Sequence, residues 1–307
     1  MLYPLAFEAQ WKDRLWGGEN WLLSGVPGEE SIVADGPLAG CSIARLVETY
    51  KEELLGEAVY AASGGAFPLL FKEIDAREDL SVQVHPDDAL AAARHGCRGK
   101  TEMWYVTEAE AGAQLYTGLA RPLTPEEYEA RVADGSIMEV LARHEVHPGD
   151  VFFLPAGRIH AIGGGCRIAE IQQASDITYR IWDYGRKGPD GKTRELHTGL
   201  AREAVDYRVY PEYRTLYTPV RDEEQALLRC SCFSVFRYEL TLPYAKDLSE
   251  LDSFLTLMCV SGGGTLLSDG FERPVRAGET LLVPASADDL CLIPDGDGMT
   301  LLGTCIA

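Results

Sequence analysis

No stretch of this chain approaches the roughly 20 consecutive apolar residues that a bilayer-spanning helix requires. Its longest apolar runs, such as 151–155 and 280–284, fall far short of that, which argues against a membrane protein. Also missing is a basic start followed by an apolar stretch and a small-residue cleavage site, so no secretory signal is visible and the cytoplasm is the expected location. Positive charge is scarce: 28 Lys+Arg stand against 48 Asp+Glu, a net charge of −20. Such a chain repels a phosphate backbone at long range, and no cluster of Lys and Arg with interleaved aromatics offsets this, which argues against nucleic acid as a partner. An anionic substrate must therefore be held by a few local cations. The eight cysteines (Cys41, Cys97, Cys166, Cys230, Cys232, Cys259, Cys291, Cys305) form no CxxC pair. In a chain too large to need disulfide staples they read as reduced core thiols.

What is present is ample apolar material: 307 residues, 46% of them hydrophobic, enough for one large domain or two ordinary ones. Short runs of Val, Ile, Phe and Leu separated by Gly, Pro and Asp make the chain mainly β. Helices read as insertions. One spans 42–55, apolar at Ile43, Leu46, Val47, Leu54 and Leu55 and stopped by Gly56. A second follows Asp87-Asp88 and ends near Gly96. A third begins at Thr124-Pro125-Glu126-Glu127, where Thr124 can accept from the Glu127 amide and Glu127 can reach back. A fourth covers 198–205, followed by a connector over 207–219. Residues 149–160 and 278–289 align as an internal repeat, each with Gly, an acid, four strand positions and Pro in register. A turn Gly, a strand, then a Pro at the sheet edge suits an antiparallel jelly roll. The expectation is two such barrels, 1–210 and 211–307, with the helices inserted in the first. The second copy carries Asp289 where the first has His160, and no His follows His197. Histidine chemistry therefore belongs to the first domain, and the second reads as a barrel without a metal site.

Along Leu80-Ser81-Val82-Gln83-Val84-His85 the apolar and polar residues alternate strictly, so Ser81, Gln83 and His85 share one strand face. That face is either a wet sheet edge or a barrel interior. Glu102 lies near the start of a further strand, and His160 lies just beyond a Pro-Gly turn. Gln83, His85, Glu102 and His160 form an N/O donor set suited to a divalent first-row metal, most often Zn²⁺. The remaining histidines, His95, His144, His147 and His197, fall at helix ends or in loops and read as solvated. Arg180 is a candidate anion clamp, with a strand-end ion pair to Asp176 or Asp183 as its alternative.

Taken together the motifs resemble the type I mannose-6-phosphate isomerases (phosphomannose isomerases) in their short bacterial form. The matching text is Phe67-Pro-Leu-Leu-Phe-Lys72, the segment from Asp75 through Gln83-Val-His85 to Asp88, Gly99-Lys-Thr-Glu102, Pro155-Ala-Gly-Arg-Ile-His160 and Gln172-Gln-Ala-Ser-Asp-Ile-Thr-Tyr-Arg180. Leu15-Trp-Gly-Gly18 and Arg194-Glu-Leu-His197 fit as well, so the likeness runs in order over about 11–210. The resemblance implies a double-cupin enzyme holding one Zn²⁺, or another divalent first-row ion, per chain. It also implies interconversion of D-mannose 6-phosphate and D-fructose 6-phosphate through a cis-enediol. Gln83, His85, Glu102 and His160 become the metal ligands, while Ser81, Lys100 and Arg180 face the substrate. Glu170 and Asp176 match further acidic positions, and the general base stays open among Glu170, Asp176 and a lysine. Arg158 is a further candidate for the phosphate. Longer relatives carry a His where this chain has Gly99, and they carry a large helical insertion that it lacks. Competing readings are a cupin isomerase or epimerase of another phosphosugar, a non-catalytic sugar-phosphate-binding cupin, and an Fe(II) dioxygenase, which the extra Gln disfavours. The sequence leaves monomer and homodimer equally open.

Overall fold

A computed structural model describes residues 2–306. Its strands pair antiparallel, as the mainly β composition requires, and none of its helices is long and apolar enough to cross a membrane. Two compact units emerge: 1–10 with 21–71 and 216–307, and 11–20 with 72–215. The expected cut into 1–210 and 211–307 follows residue order and is redrawn here. In the first unit Leu5–Ala6 pairs with Thr280–Val283, and the carbonyls of Glu53 and Leu54 accept the amides of Ser286 and Ala285. The N-terminal segments are thus part of the unit that the C-terminal strands build.

The first unit contains an eight-stranded sheet around a core that includes Tyr238, Leu257, Leu281, Leu292 and Leu301, together with helices Ile43–Leu55 and Glu57–Ser63. The second contains a five-stranded sheet in the order Tyr179–Trp182, Val82–Val84, His160–Ile162, Gln114–Leu119, Leu141–Glu145. It also holds a ladder in which Glu102–Ala109 lies between Cys166–Gln173 and Val151–Leu154. Val82 and Val84 pack with Tyr128, Val132 and Ala201, which come from helices Pro125–Asp134 and Thr198–Ala204. Alternation then turns Gln83 to the opposite face. Leu80 lies outside the strand and joins a separate cluster with Trp104 and Ile162, so the alternation holds only from Val82 onward.

The repeat read from the sequence is a repeated hairpin. Val151–Leu154 and Thr280–Val283 occupy equivalent positions, each preceded by a glycine at positive φ, +93° at Gly149 and +84° at Gly278. Val106 N–H donates to Asp150 O and Cys259 N–H to Glu279 O, both at 2.9 Å. Each following proline carbonyl accepts an amide three residues on, at 3.1 Å. Glu102 stands opposite Leu154 in one copy, and Leu255 stands opposite Val283 in the other. A buried carboxylate in the first hairpin is therefore a buried leucine in the second.

Helix Ile43–Leu55 begins where expected, Ser42 Oγ accepting from Arg45 N at 3.2 Å. Helix Asp88–His95 is capped by Asp87 and closed by Gly96 in the left-handed region. Thr124 caps Pro125–Asp134 through the Glu127 amide at 3.1 Å. Glu127 does not reach back: Arg121 and Arg131 take its carboxylate, because two guanidiniums outbid one amide. All eight cysteines are free, but only Cys166, Cys259 and Cys305 are buried, so the core placement fails for the other five.

Candidate metal centre

Gln83 sits at the middle of three adjacent strands, with His160 opposite it on one side and Arg180 on the other. Glu102 comes from the ladder, opposite Leu154 and Gln172. His85, Glu102 and His160 are almost wholly buried, each offering a ligand atom within 4.8 Å of the others. His160 Nε2 lies 3.2 Å from Glu102 Oε1 and 3.3 Å from Gln83 Nε2, and His85 Nε2 lies 3.5 Å from Glu102 Oε2.

The imidazoles are fixed by their far nitrogens. His85 Nδ1 donates to the Ile177 carbonyl and His160 Nδ1 to the Arg158 carbonyl, both at 2.8 Å, which leaves each Nε2 as an acceptor facing inward, toward Lys100 Nζ from His85 and toward the Gln83 amide from His160. Burial, reinforced by the Lys100 charge, holds His85 well below the usual imidazole range and His160 at about 3. Both are therefore neutral, the form that ligates. Glu102 Oε1 is buried without a hydrogen-bond donor and lies 3.2 Å from His160 Nε2. Burial, with the Glu170 charge, pushes the Glu102 carboxyl up to about 7, so either a proton or a divalent cation between these two acceptors relieves their repulsion. The residues present thus fit a divalent ion, and the amide of Gln83 adds an oxygen donor when turned toward the centre.

Gln83, alone of the four donors, lines an adjoining pocket of about 340 Å³, which is also lined by five cations (Arg14, Lys72, Lys100, Arg180, Arg194) and three acids (Glu19, Glu170, Asp176). Local positive charge is thereby concentrated within a chain of net −20. Lys100 Nζ lies 2.6 Å from Glu102 Oε2 and 3.1 Å from His85 Nε2. Glu170, expected as an acid of the site, is buried and clamped by Lys72 at 3.1 Å and Trp104 Nε1–H at 2.8 Å. Burial alone would raise its pKa, but the Lys72 and Lys100 charges hold it low. Lys72 is likewise raised despite burial, because Glu170 and Glu19 face it. Ser81 is buried and Asp176 exposed, and both line the pocket.

Arg180 makes neither alternative ion pair. Its Nη1 donates to the Glu195 carbonyl at 3.0 Å, while Arg186 and Arg194 occupy Asp183. Arg158 lies outside this pocket's lining, donating to the Phe153 carbonyl and stacking on Tyr210 and Tyr213. The solvated reading holds for His95 and His147, both exposed, although the His95 ring also bonds the Tyr179 hydroxyl at 2.7 Å. It fails for His144, half-buried within a strand against Phe152, and for His197, half-buried and bonded to the Arg180 backbone. At Gly99 a Cβ would lie 2.5 Å from the backbone of Asp87 and Asp88, so no histidine side chain fits there without moving the start of helix Asp88–His95. Arg14, Glu19, Lys72 and Arg194 were not singled out as site residues. Lys72 was detectable as a lone cation in the apolar run from Phe67.

Comparison with known proteins gives a consistent picture. Residues 12–115 match the family model described as phosphomannose isomerase type I, catalytic domain. The chain is 34% identical to mannose-6-phosphate isomerase ManA of Bacillus subtilis (strain 168) over 300 residues, 92% of this chain and 93% of that protein. It is 30% identical to the mannose-6-phosphate isomerase of Streptococcus mutans, over 92% of this chain and 93% of that protein. The crystal structure of the Bacillus subtilis mannose 6-phosphate isomerase superposes with a TM-score of 0.87 at 29% identity, covering 98% of this chain and 99% of that one. A putative mannosephosphate isomerase from Archaeoglobus fulgidus shares the fold, with a TM-score of 0.78 at 20% identity over 98% and 96% of the two chains.

Proposed function

The chain belongs to the type I mannose-6-phosphate isomerases, and from that premise we propose that it interconverts D-mannose 6-phosphate and D-fructose 6-phosphate using one divalent ion, Zn²⁺, held by Gln83, His85, Glu102 and His160. The observation that carries this reading is the convergence of two neutral imidazole lone pairs and an orphaned carboxylate oxygen beside a cation-rich pocket. When bound, such an ion supplies Lewis-acid polarisation of the substrate oxygens.

The chain's own residues do the rest. In the open-chain aldose a proton leaves C2 and one is returned to C1, with negative charge on the oxygens of a cis-enediolate in between. Lys100 and Arg180 place fixed positive charge where that anion develops. Ser81 supplies a hydroxyl toward the sugar phosphate. Glu170 is held too far below neutrality to take up a proton and return it efficiently, and serves instead to anchor Lys72. Proton transfer then falls to Asp176, or to Lys100 acting as the neutral amine, in which case Arg180 supplies the fixed charge; both line the pocket. Phosphosugars do not cross membranes unaided, which suits a cytoplasmic enzyme acting on a soluble metabolite. Incubating the protein in ²H₂O with mannose 6-phosphate and, separately, glucose 6-phosphate tests the reading by ¹H NMR. Fructose 6-phosphate forming from the mannose ester alone is expected, and turnover of only the glucose ester overturns it.

A further inference from the structure

Tyr179–Trp182 is the edge strand of the five-stranded sheet. The backbone groups that such a strand turns away from its one neighbour need partners from elsewhere. At Arg180 a single residue meets both. Arg180 N–H donates to His197 Nδ1 at 3.1 Å, and His197 N–H donates to the Arg180 carbonyl at 2.7 Å. His197 thus replaces the strand that is missing at this edge.

The exchange has a consequence for the pocket. Because Arg180 spends both backbone groups on His197, its pairing with Gln83 is of the non-hydrogen-bonded kind, which brings opposed side chains closest. The same short segment sends the Glu195 carbonyl to Arg180 Nη1 at 3.0 Å, while the buried Nε has no protein acceptor. The guanidinium is therefore oriented without being neutralised. His197 occupies the cap position of helix Thr198–Ala204, yet its ring makes no capping bond, since its acceptor is already committed to Arg180.

We propose that His197 is a positioning residue for Arg180: as the Nε2–H tautomer it accepts the Arg180 amide on Nδ1 and sets the reach of the guanidinium into the pocket. The charged and titratable groups around the ring favour that neutral form. Burial and the Arg180 charge lower its pKa, His95 adds to this, Glu195 opposes it, and the Tyr179 ring lies 6.4 Å away.

The kinetic arm of the test rests on the isomerase reading, and the spectroscopic arm does not. Replacing the ring acceptor in His197→Phe should lower kcat about 10-fold or more, the scale on which sub-ångström misplacement of a catalytic group acts, with metal content and KM little changed. In His197→Asn the Oδ1 atom stands close to where Nδ1 stood, and kcat should return to within about 3-fold of the parent. Equal losses in both variants, or none in the Phe variant, overturn the proposal. In the parent protein, ¹⁵N NMR at neutral pH should show His197 Nδ1 as a bare acceptor nitrogen, and a proton found there overturns it as well. A parent that turns over no mannose 6-phosphate would instead defeat the isomerase reading, leaving the ¹⁵N result to decide on His197.

Discussion

Arg180 carries the clearest expectation of any single side chain. Its guanidinium is half-buried, pairs with no acid among the described residues and lines the pocket beside Gln83, so replacing it with alanine removes preorganised positive charge without touching any of the four donors proposed for the ion. Arg180→Ala should lower kcat by at least about 10²-fold on the scale of a lost oxyanion donor. Its metal content, measured by elemental analysis, should stay at the parent level, and near-parental turnover would reject the assignment. At this scale the sequence was most informative where the chemistry is periodic. Alternation alone put Gln83 and His85 on one side of the chain, and both reach the cluster although the strand itself ends at Val84. Glu102 and His160 were legible as donor types, but their meeting depends on register between strands far apart in the chain. Lys72 and Glu19 were harder to find, because each is explained only by its partner: a buried lysine makes sense once Glu170 is seen against it. The choice between an ion-paired and an uncommitted Arg180 was likewise decided by tertiary contacts, since Arg186 and Arg194 claim the acid that proximity in sequence suggested.

Among the elements, local signals were reliable where the partner is local. Ser42, Asp87 and Thr124 each cap the helix they precede, and the hydroxyl or carboxylate reaches an amide three residues on. Thr124→Ala should cost about 1 kcal/mol of stability in urea titration, the usual cost of losing such a cap, with the slope against denaturant unchanged. A variant as stable as the parent would show that the Glu127 ion pairs with Arg121 and Arg131 hold the turn without it. Helix Glu57–Ser63 went unread for the opposite reason. Gly56 stops one helix at φ +91°, and the next starts at once because Asp252, about 195 residues away, accepts the amides of Glu57 and Ala58. No window of sequence contains that cap. The repeated hairpin lies between these cases. Its glycine, acid and proline are local and were aligned from sequence, while the exchange of Glu102 for Leu255 is visible only through the strand register.

For the whole molecule, charge and chain path set the terms. Within a chain of net −20, cations are gathered in one pocket and held there by buried carboxylates, which is where the proposed anionic substrate would bind. The two compact units are not consecutive in sequence: the strands that complete the first come from both ends of the chain. A boundary drawn along residue order therefore misplaced 1–10 and 21–71. If the donor cluster holds the proposed ion, an ion bound only by the folded chain would raise stability by mass action.

Elemental analysis combined with isomerase assay of one preparation, before chelation, after it and after restoring Zn²⁺, tests the centre most directly. One divalent ion per chain, loss of ion and turnover together on chelation, recovery of both with a higher Tm on restoration, and no bound ion in His85→Ala are predicted. Full turnover by a protein stripped of its ion, or a His85→Ala variant that binds metal like the parent, would contradict the account.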